Sequence, residues 1–174
     1  TYHPVTLEYS LTSQQQMQNL LNALKQFDLQ VVVTGPNIEV DRDSILSALM
    51  HEIKYLDKWY YFESLGVKRY HGLIPYCEFV IGNSSSGIGE VPFFKIPTVN
   101  IGDRQAGRIR HKSIIDTDYS VDSIKNGIER ALSSEFRSCL QDMVYKFGEG
   151  DTTQRMINII KNIKNDQDFI RKKL

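Results

Sequence analysis

The chain has 174 residues, enough for one ordinary domain, and its 41% hydrophobic and 24% charged residues are the proportions of a soluble globular protein with a real core. Lys plus Arg number 21 and Asp plus Glu number 21, so no global field draws the chain to nucleic acid or to a membrane. The two cysteines, Cys77 and Cys139, lack ligand spacing, which speaks against a disulfide framework or a zinc site and for a reducing, cytoplasmic setting.

No signal peptide is recognisable and no apolar run approaches membrane-spanning length. The chain opens Thr1-Tyr2-His3-Pro4-Val5-Thr6 with no methionine and without the apolar run that precedes a buried strand's end, which reads as an excised fragment. His3-Pro4 then sits where a first strand would end. A histidine there could donate to a phosphate or shuttle a proton, although a loop histidine before proline is more often structural.

Apolar positions at Met17, Leu20, Leu21, Leu24 and Phe27 predict a helix over 14–27 with Ser13 as N-cap. Val31–Thr34 is a β-branched run too short for a helix and is ended by Gly35-Pro36. Asn37 in that turn could contact a ligand, though the turn role alone accounts for it. Ile45, Leu49, Ile53 and Leu56 predict a helix over 44–56, Trp59–Phe62 a strand, and 70–76 a short helix weakened by Gly72 and Pro75. Phe79-Val80-Ile81 reads as a buried strand running into Gly82-Asn83-Ser84-Ser85-Ser86-Gly87 and a helix through Phe94. Thr98–Ile101 and 113–115 are further strands. Helices are expected over 121–133, 136–147 and 152–163, the last opened by a capping box of Asp151 and Gln154, with a polar, basic tail from Asn162. Short apolar strands alternating with helices mean an α/β fold, a parallel sheet covered on both faces, and such sheets bind ligands beyond the strands' carboxyl ends.

That rule ranks the motifs. Between Gly82 and Gly87, small residues leave backbone N–H groups open to an anion, and the hydroxyls of Ser84 and Ser85 add donors. A single capping serine is the bland alternative, but three serines stand here. The two glycines have P-loop spacing, yet Ile88 replaces the phosphate-clamping lysine, and Pro92 stands where a dinucleotide fingerprint needs its third glycine; neither NTPase nor NAD binding is supported. Glu90, on the same helix, either offsets the helix dipole or accepts hydrogen bonds from ribose hydroxyls. Arg104 follows the Thr98–Ile101 strand and leaves the same sheet edge as the serines; its planar fork suits phosphate, its bland fate being a salt bridge with Asp103. Arg108 and Arg110 are weaker candidates, and His71 and His111 carry no interpretable context. Asn83-Ser84-Ser85 matches a glycosylation acceptor, read as accidental.

Taken together, residues 2–6, 35–37, 82–92 and 97–108 resemble the UDP-N-acetylglucosamine 2-epimerases, with the hydrolysing branch of sialic and legionaminic acid synthesis nearest, and the resemblance runs on through Phe147-Gly148-Glu149-Gly150-Asp151. It implies the second, Rossmann-like half of a GT-B-type two-domain fold, with the nucleotide sugar in the cleft between the halves and an absent first half as partner. It also implies that Ser84 and Ser85 hold the diphosphate, that Glu90 holds the ribose, that His3 and Arg104 face the phosphates near the departing bond, and that Asn37 and Leu65 lie near the nucleotide, Leu65 by the uracil. No cofactor or metal is implied. In the family the carboxylates that move protons at C2 come mostly from the first half, so this chain alone is expected to bind weakly and not turn over. An apolar cleft face exposed by truncation would favour self-association into a homo-oligomer. Two other readings stay open: the nucleotide-binding half of a GT-B glycosyltransferase, and a non-catalytic nucleotide-sugar binding domain.

Overall fold

The computed structural model describes residues 1–5, 10–148 and 150–163; residues 6–9, Glu149 and the tail beyond Ile163 lie outside the described residues. Two units are present, Thr1–Val144 and Tyr145–Leu174. The first unit alternates strand and helix: α1 Ser13–Leu24, β1 Val31–Thr34, α2 Arg42–Ile53, β2 Trp59–Phe62, α3 Gly66–Leu73, β3 Val80–Gly82, α4 Ser86–Gly89, β4 Thr98–Ile101, β5 Ile114–Thr117, α5 Val121–Leu132 and α6 Ser134–Ser138. The second holds α7, Thr152–Asn162.

All strand pairs are parallel. β1 pairs with β2, and β4 lies between β3 and β5. The opening residues bridge the two groups. The Thr1 amino group donates to Ile81 O at 3.0 Å, Asn83 N–H donates to Thr1 O at 3.3 Å, and the Thr1 and Thr34 hydroxyls meet at 2.6 Å. Thr1 thereby pairs with β3 as a parallel neighbour and brings Tyr2 and His3 between β1 and β3.

Helices cover both faces of β4, whose four residues are all buried. A Cβ on Gly127 of α5 would lie 3.0 Å from Val99 Cγ1, whereas a Cβ on Gly87 of α4 would lie 2.7 Å from Thr98 Cγ2. Successive strand residues point to opposite faces, so α5 packs on one side and α4 on the other. This is the α/β architecture expected from the alternation of apolar runs. The main core joins Leu20, Leu21 and Leu24 of α1 with Ile45 and Leu49 of α2, Trp59 of β2 and Ile124 and Ile128 of α5. A second cluster gathers Val99, Ile115, Ala131, Phe136, Leu140 and Met143. Among the described residues, no helix is long and apolar enough to cross a membrane.

Several expected boundaries move for identifiable reasons. The N-cap of α1 is Thr12, whose hydroxyl accepts from Gln15 N–H while the Gln15 side chain accepts from Thr12 N–H, and Ser13 is buried inside the first turn with its hydroxyl on Asp41. The helix expected over 70–76 begins earlier, at Gly66, and tightens into a 3₁₀ turn over Ile74–Tyr76 around Pro75. The helix expected through Phe94 breaks after Gly89 and resumes as 3₁₀ over Val91–Phe94, because Pro92 has no N–H to give to Ile88. Over 136–147 only the start is helical. Beyond Ser138 the chain folds in successive tight turns that bury Leu140 and Met143. Asp151 makes no side-chain cap on α7 and pairs instead with Arg155 Nε at 2.7 Å.

Gly82 has φ +138, and a Cβ there would sit 1.8 Å from Thr1 O. Glycine alone permits both this backbone and the close approach of the opening segment. Gly82→Ala is therefore expected to destabilise the fold by at least about 1–3 kcal/mol in chemical denaturation. Gly72→Ala, inside α3 with nothing within 4 Å of the added Cβ, should instead stabilise by roughly 0.5–1 kcal/mol. Equal stabilities for Gly82→Ala and the parent would contradict this account of the β3 turn.

Candidate functional site

Four loops leave the carboxyl ends of neighbouring parallel segments: Pro4-Val5 after the opening residues, Gly35–Val40 after β1, Asn83–Ser85 after β3, and Gly102–Gln105 after β4. Long-range hydrogen bonds tie the functional candidates on them together.

His3 is 6% exposed. Its backbone N–H donates to Asn83 Oδ1 at 2.7 Å and its carbonyl accepts from Asn83 Nδ2 at 2.8 Å. Its ring Nδ1 accepts from the Asn37 N–H at 3.1 Å. An acceptor Nδ1 on a neutral ring assigns the proton to Nε2, so the free side of the ring is a donor. Burial, and next the guanidinium of Arg104, hold the His3 pKa down at about 4. The ring is thus neutral at physiological pH.

Arg104 does not pair with Asp103. Its guanidinium meets Glu39 Oε1 at 3.3 Å and the Asn83 carbonyl at 3.4 Å. Glu39 also accepts from Asn37 Nδ2 at 3.3 Å, so this carboxylate links the β1 loop to the β4 loop. Gln105, 2% exposed, donates from Nε2 to the Asn83 carbonyl at 2.8 Å. Beside this network lies an open cleft of about 820 Å³, with Pro4, Ile38, Glu39, Val40, Asp103 and Arg104 on its walls. The remaining basic candidates differ: Arg110 pairs with Asp116 at 3.2 Å, and Arg108 is exposed.

The serine loop is donor-rich. Ser85 stands at the N-cap of α4 but makes no capping bond, so the bland reading of a capping serine does not hold for it. Ser84 Oγ accepts from Ser86 Oγ at 3.1 Å and from Ser86 N–H at 3.4 Å. Among the described residues nothing accepts a hydrogen bond from the Ser84 or Ser85 N–H or from the Ser85 hydroxyl. Asn83 is fully buried with both side-chain amide atoms engaged, which rules out the glycosylation reading.

Glu90 and Leu65 stand apart from the network around Asn83. Glu90, at the C-terminal cap of α4 rather than near its start, pairs with His71 Nε2 at 2.5 Å, while the neighbouring Tyr70 hydroxyl meets Ser86 Oγ at 2.8 Å. The His71 ring also lies 6.0 Å from Phe94. α3 thus holds the serine loop through two adjacent side chains. Leu65, the residue before α3, lines a different cleft of about 390 Å³ with Val32, Tyr60, Phe62, Arg69 and Leu73. The structure therefore brings His3, Asn37 and Arg104 together with the serine loop, and places Glu90 on the far end of α4 and Leu65 in a separate cleft. Sequence reasoning missed Glu39, Asn83, Gln105 and His71. Asn83 and Gln105 lay inside the quoted motifs, but nothing local reveals partners 80 and 22 residues away. Among the described residues no group of three or more His, Cys, Asp or Glu is arranged to hold a metal.

A model of the family described as UDP-N-acetylglucosamine 2-epimerase matches residues 1–161. A Campylobacter jejuni protein named GDP/UDP-N,N'-diacetylbacillosamine 2-epimerase (hydrolyzing) is 37% identical over 139 residues, covering 79% of this chain and 35% of its own length. A UDP-N-acetylglucosamine 2-epimerase from Neisseria meningitidis is 34% identical over 164 residues, covering 92% of this chain and 42% of its own. The chain therefore spans about two fifths of the length of these relatives. Among solved structures, S. aureus MnaA with UDP superposes with a TM-score of 0.71 at 15% identity, covering 84% of this chain and 40% of that one. The Methanocaldococcus jannaschii UDP-GlcNAc 2-epimerase with UDP-GlcNAc and UDP gives 0.64 at 16% identity, covering 86% and 41%. At such identities these likenesses establish the fold, and it is the α/β fold described above. With the family model spanning residues 1–161 of the chain, the conclusion is that it belongs to the UDP-N-acetylglucosamine 2-epimerase family.

Proposed function

We propose that this chain is the nucleotide-binding half of a hydrolysing UDP-N-acetylglucosamine 2-epimerase, the second Rossmann-like half of a GT-B-type pair, and that it holds the diphosphate of a UDP-sugar. One observation carries the reading: N–H groups at Ser84 and Ser85 that have no acceptor among the described residues stand on a sheet edge shared with the neutral donor His3 and the guanidinium of Arg104. A leaving diphosphate accumulates charge on its oxygens as the C1–O bond breaks. Preorganised N–H, O–H and guanidinium donors stabilise that charge without reorganising. A helix dipole contributes little here, since α4 has only four residues; the local donors themselves are the site.

In the proposed reaction a base removes the C2 proton, the C1–O bond electrons leave with UDP, and a glucal-type intermediate forms. Water then adds across the double bond, its oxygen to C1 and a proton to C2 from the opposite face, releasing N-acetylmannosamine. Ser84 and Ser85 bind the diphosphate, His3 Nε2–H and Arg104 face the departing oxygen, and Glu90 takes the ribose hydroxyls with His71 steadying its carboxylate. Asn37 and Leu65 line the nucleotide's approach. The C2 base belongs to the other half of the enzyme, and free N-acetylmannosamine rather than sugar transfer to an acceptor is the product.

In calorimetric titration with UDP, Arg104→Ala and the pair Ser84→Ala plus Ser85→Ala should each weaken binding by about 1.5–3 kcal/mol per lost charge-assisted contact. Variants that bind UDP as the parent does would remove the site assignment. The neutrality of His3 gives a second test. Its pKa falls from the ordinary 6.5 in the unfolded chain to about 4 in the folded one. The unfolded state alone takes up the proton between those values, so this contribution to stability is full above pH 6.5 and declines as the pH falls toward 4. Between pH 7 and pH 5 the parent should lose about 2 kcal/mol more stability than His3→Gln. Parallel pH profiles of unfolding for the two proteins would contradict a buried neutral His3.

A further inference from the structure

Asn83 has no part in the binding scheme above, yet it is the residue on which His3 and Arg104 both rest. Thr1 and Asn83 follow ordinary parallel pairing, with Thr1 N–H₃⁺ on Ile81 O and Asn83 N–H on Thr1 O. The next rung of such a ladder would carry His3 N–H to the Asn83 main-chain carbonyl. That rung is replaced. His3 N–H goes to the Asn83 side-chain Oδ1 at 2.7 Å, and the Asn83 Nδ2 reaches back to His3 O at 2.8 Å. The side-chain amide thus takes the part of a strand neighbour's peptide group, both donating and accepting.

The main-chain carbonyl released by this exchange is turned to the β4 loop, where it accepts from Gln105 Nε2 at 2.8 Å and from the Arg104 guanidinium at 3.4 Å. One buried residue, 0% exposed, therefore fixes the backbone of His3 through its side chain and the side chain of Arg104 through its backbone. Few side chains can do this. The group must accept at one atom and donate from a second, spaced as in a peptide group and without bearing charge, which is the pattern of the primary amides, and glutamine is one methylene too long for the same reach.

We infer that Asn83 is a positioning residue that presents the His3 ring and the Arg104 guanidinium as one unit to the diphosphate. The inference rests on the proposed binding role of those two residues but adds a residue that neither touches ligand nor belongs to the loop's donor set. Its physical content is that ring orientation and phosphate affinity fall together when the amide is removed, beyond any change in stability.

The test uses Asn83→Ala with two readings, the His3 ring tautomer and titration followed by long-range ¹H–¹⁵N NMR, and UDP affinity by calorimetry. In the parent the ring should hold its proton on Nε2 down to about pH 4. In Asn83→Ala the two tautomers should mix, the titration should move up toward the ordinary histidine value, and UDP affinity should fall at least tenfold at a temperature where the variant is folded. A folded Asn83→Ala that keeps the parent's tautomer and binds UDP unchanged would overturn the inference. If the variant does not fold, the parent decides it: on UDP addition the Asn83 side-chain NH₂, His3 ring and Arg104 Nε signals should shift along one isotherm, and an Asn83 signal that stays still while the other two move would equally overturn it. If the parent fails to bind UDP at all, the function reading fails, while the tautomer comparison still tests the positioning of His3.

Discussion

The site depends on how the backbone leaves the sheet at Gly82. With φ +138 there, β3 stops pairing and Asn83 turns its carbonyl away from the ladder. The Ser84 and Ser85 amides are then left with no acceptor among the described residues. Ser84 is half-buried and Ser85 exposed, so N–H groups that no described acceptor takes are left to water or to a ligand. Their concentration next to a guanidinium and a neutral imidazole donor is what an anionic ligand would satisfy. The small residues of this stretch thus do two things: Gly82 admits the opening segment against β3, and the serines leave the amides approachable.

Charge is balanced within the same few residues. Arg104 is shared between the Glu39 carboxylate and a carbonyl, so its fork is preoriented but not sealed. Under the proposed function a diphosphate would compete there with a single carboxylate oxygen at 3.3 Å, a modest interaction at a partly exposed position. Glu39 in turn keeps Asn37 in place, and the Asn37 amide fixes the His3 tautomer. The opening segment, the β1 loop, the β3 loop and the β4 loop are therefore one hydrogen-bonded assembly, and their chemistry is cooperative in the sense that no single loop presents its donor alone.

Much of the architecture was legible in the sequence because it rests on local pattern. Val31–Thr34, Trp59–Phe62 and Thr98–Ile101 are strands with the boundaries read from their apolar runs, and the α/β alternation follows from them. Helix ends were less legible where a better cap stood one residue away, as Thr12 does beside Ser13, or where proline and tertiary packing converted helix into tighter turns, as at Pro92 and beyond Ser138. The site divides the same way. The serine loop and Arg104 announce themselves by composition and by position after strands. Their partners do not: Asn83 on His3, Glu39 on Arg104 and His71 on Glu90 are contacts between residues 80, 65 and 19 positions apart, for which no local spacing rule exists.

The most direct test of the central claim is a ¹H–¹⁵N titration of the chain with UDP in which the backbone amides of Ser84 and Ser85 are followed individually. These two signals should move farthest downfield, with the His3 ring and Arg104 Nε following at the same midpoint. Shifts confined to the Tyr60, Phe62 and Leu65 cleft, with the Ser84 and Ser85 amides unmoved at saturation, would contradict it.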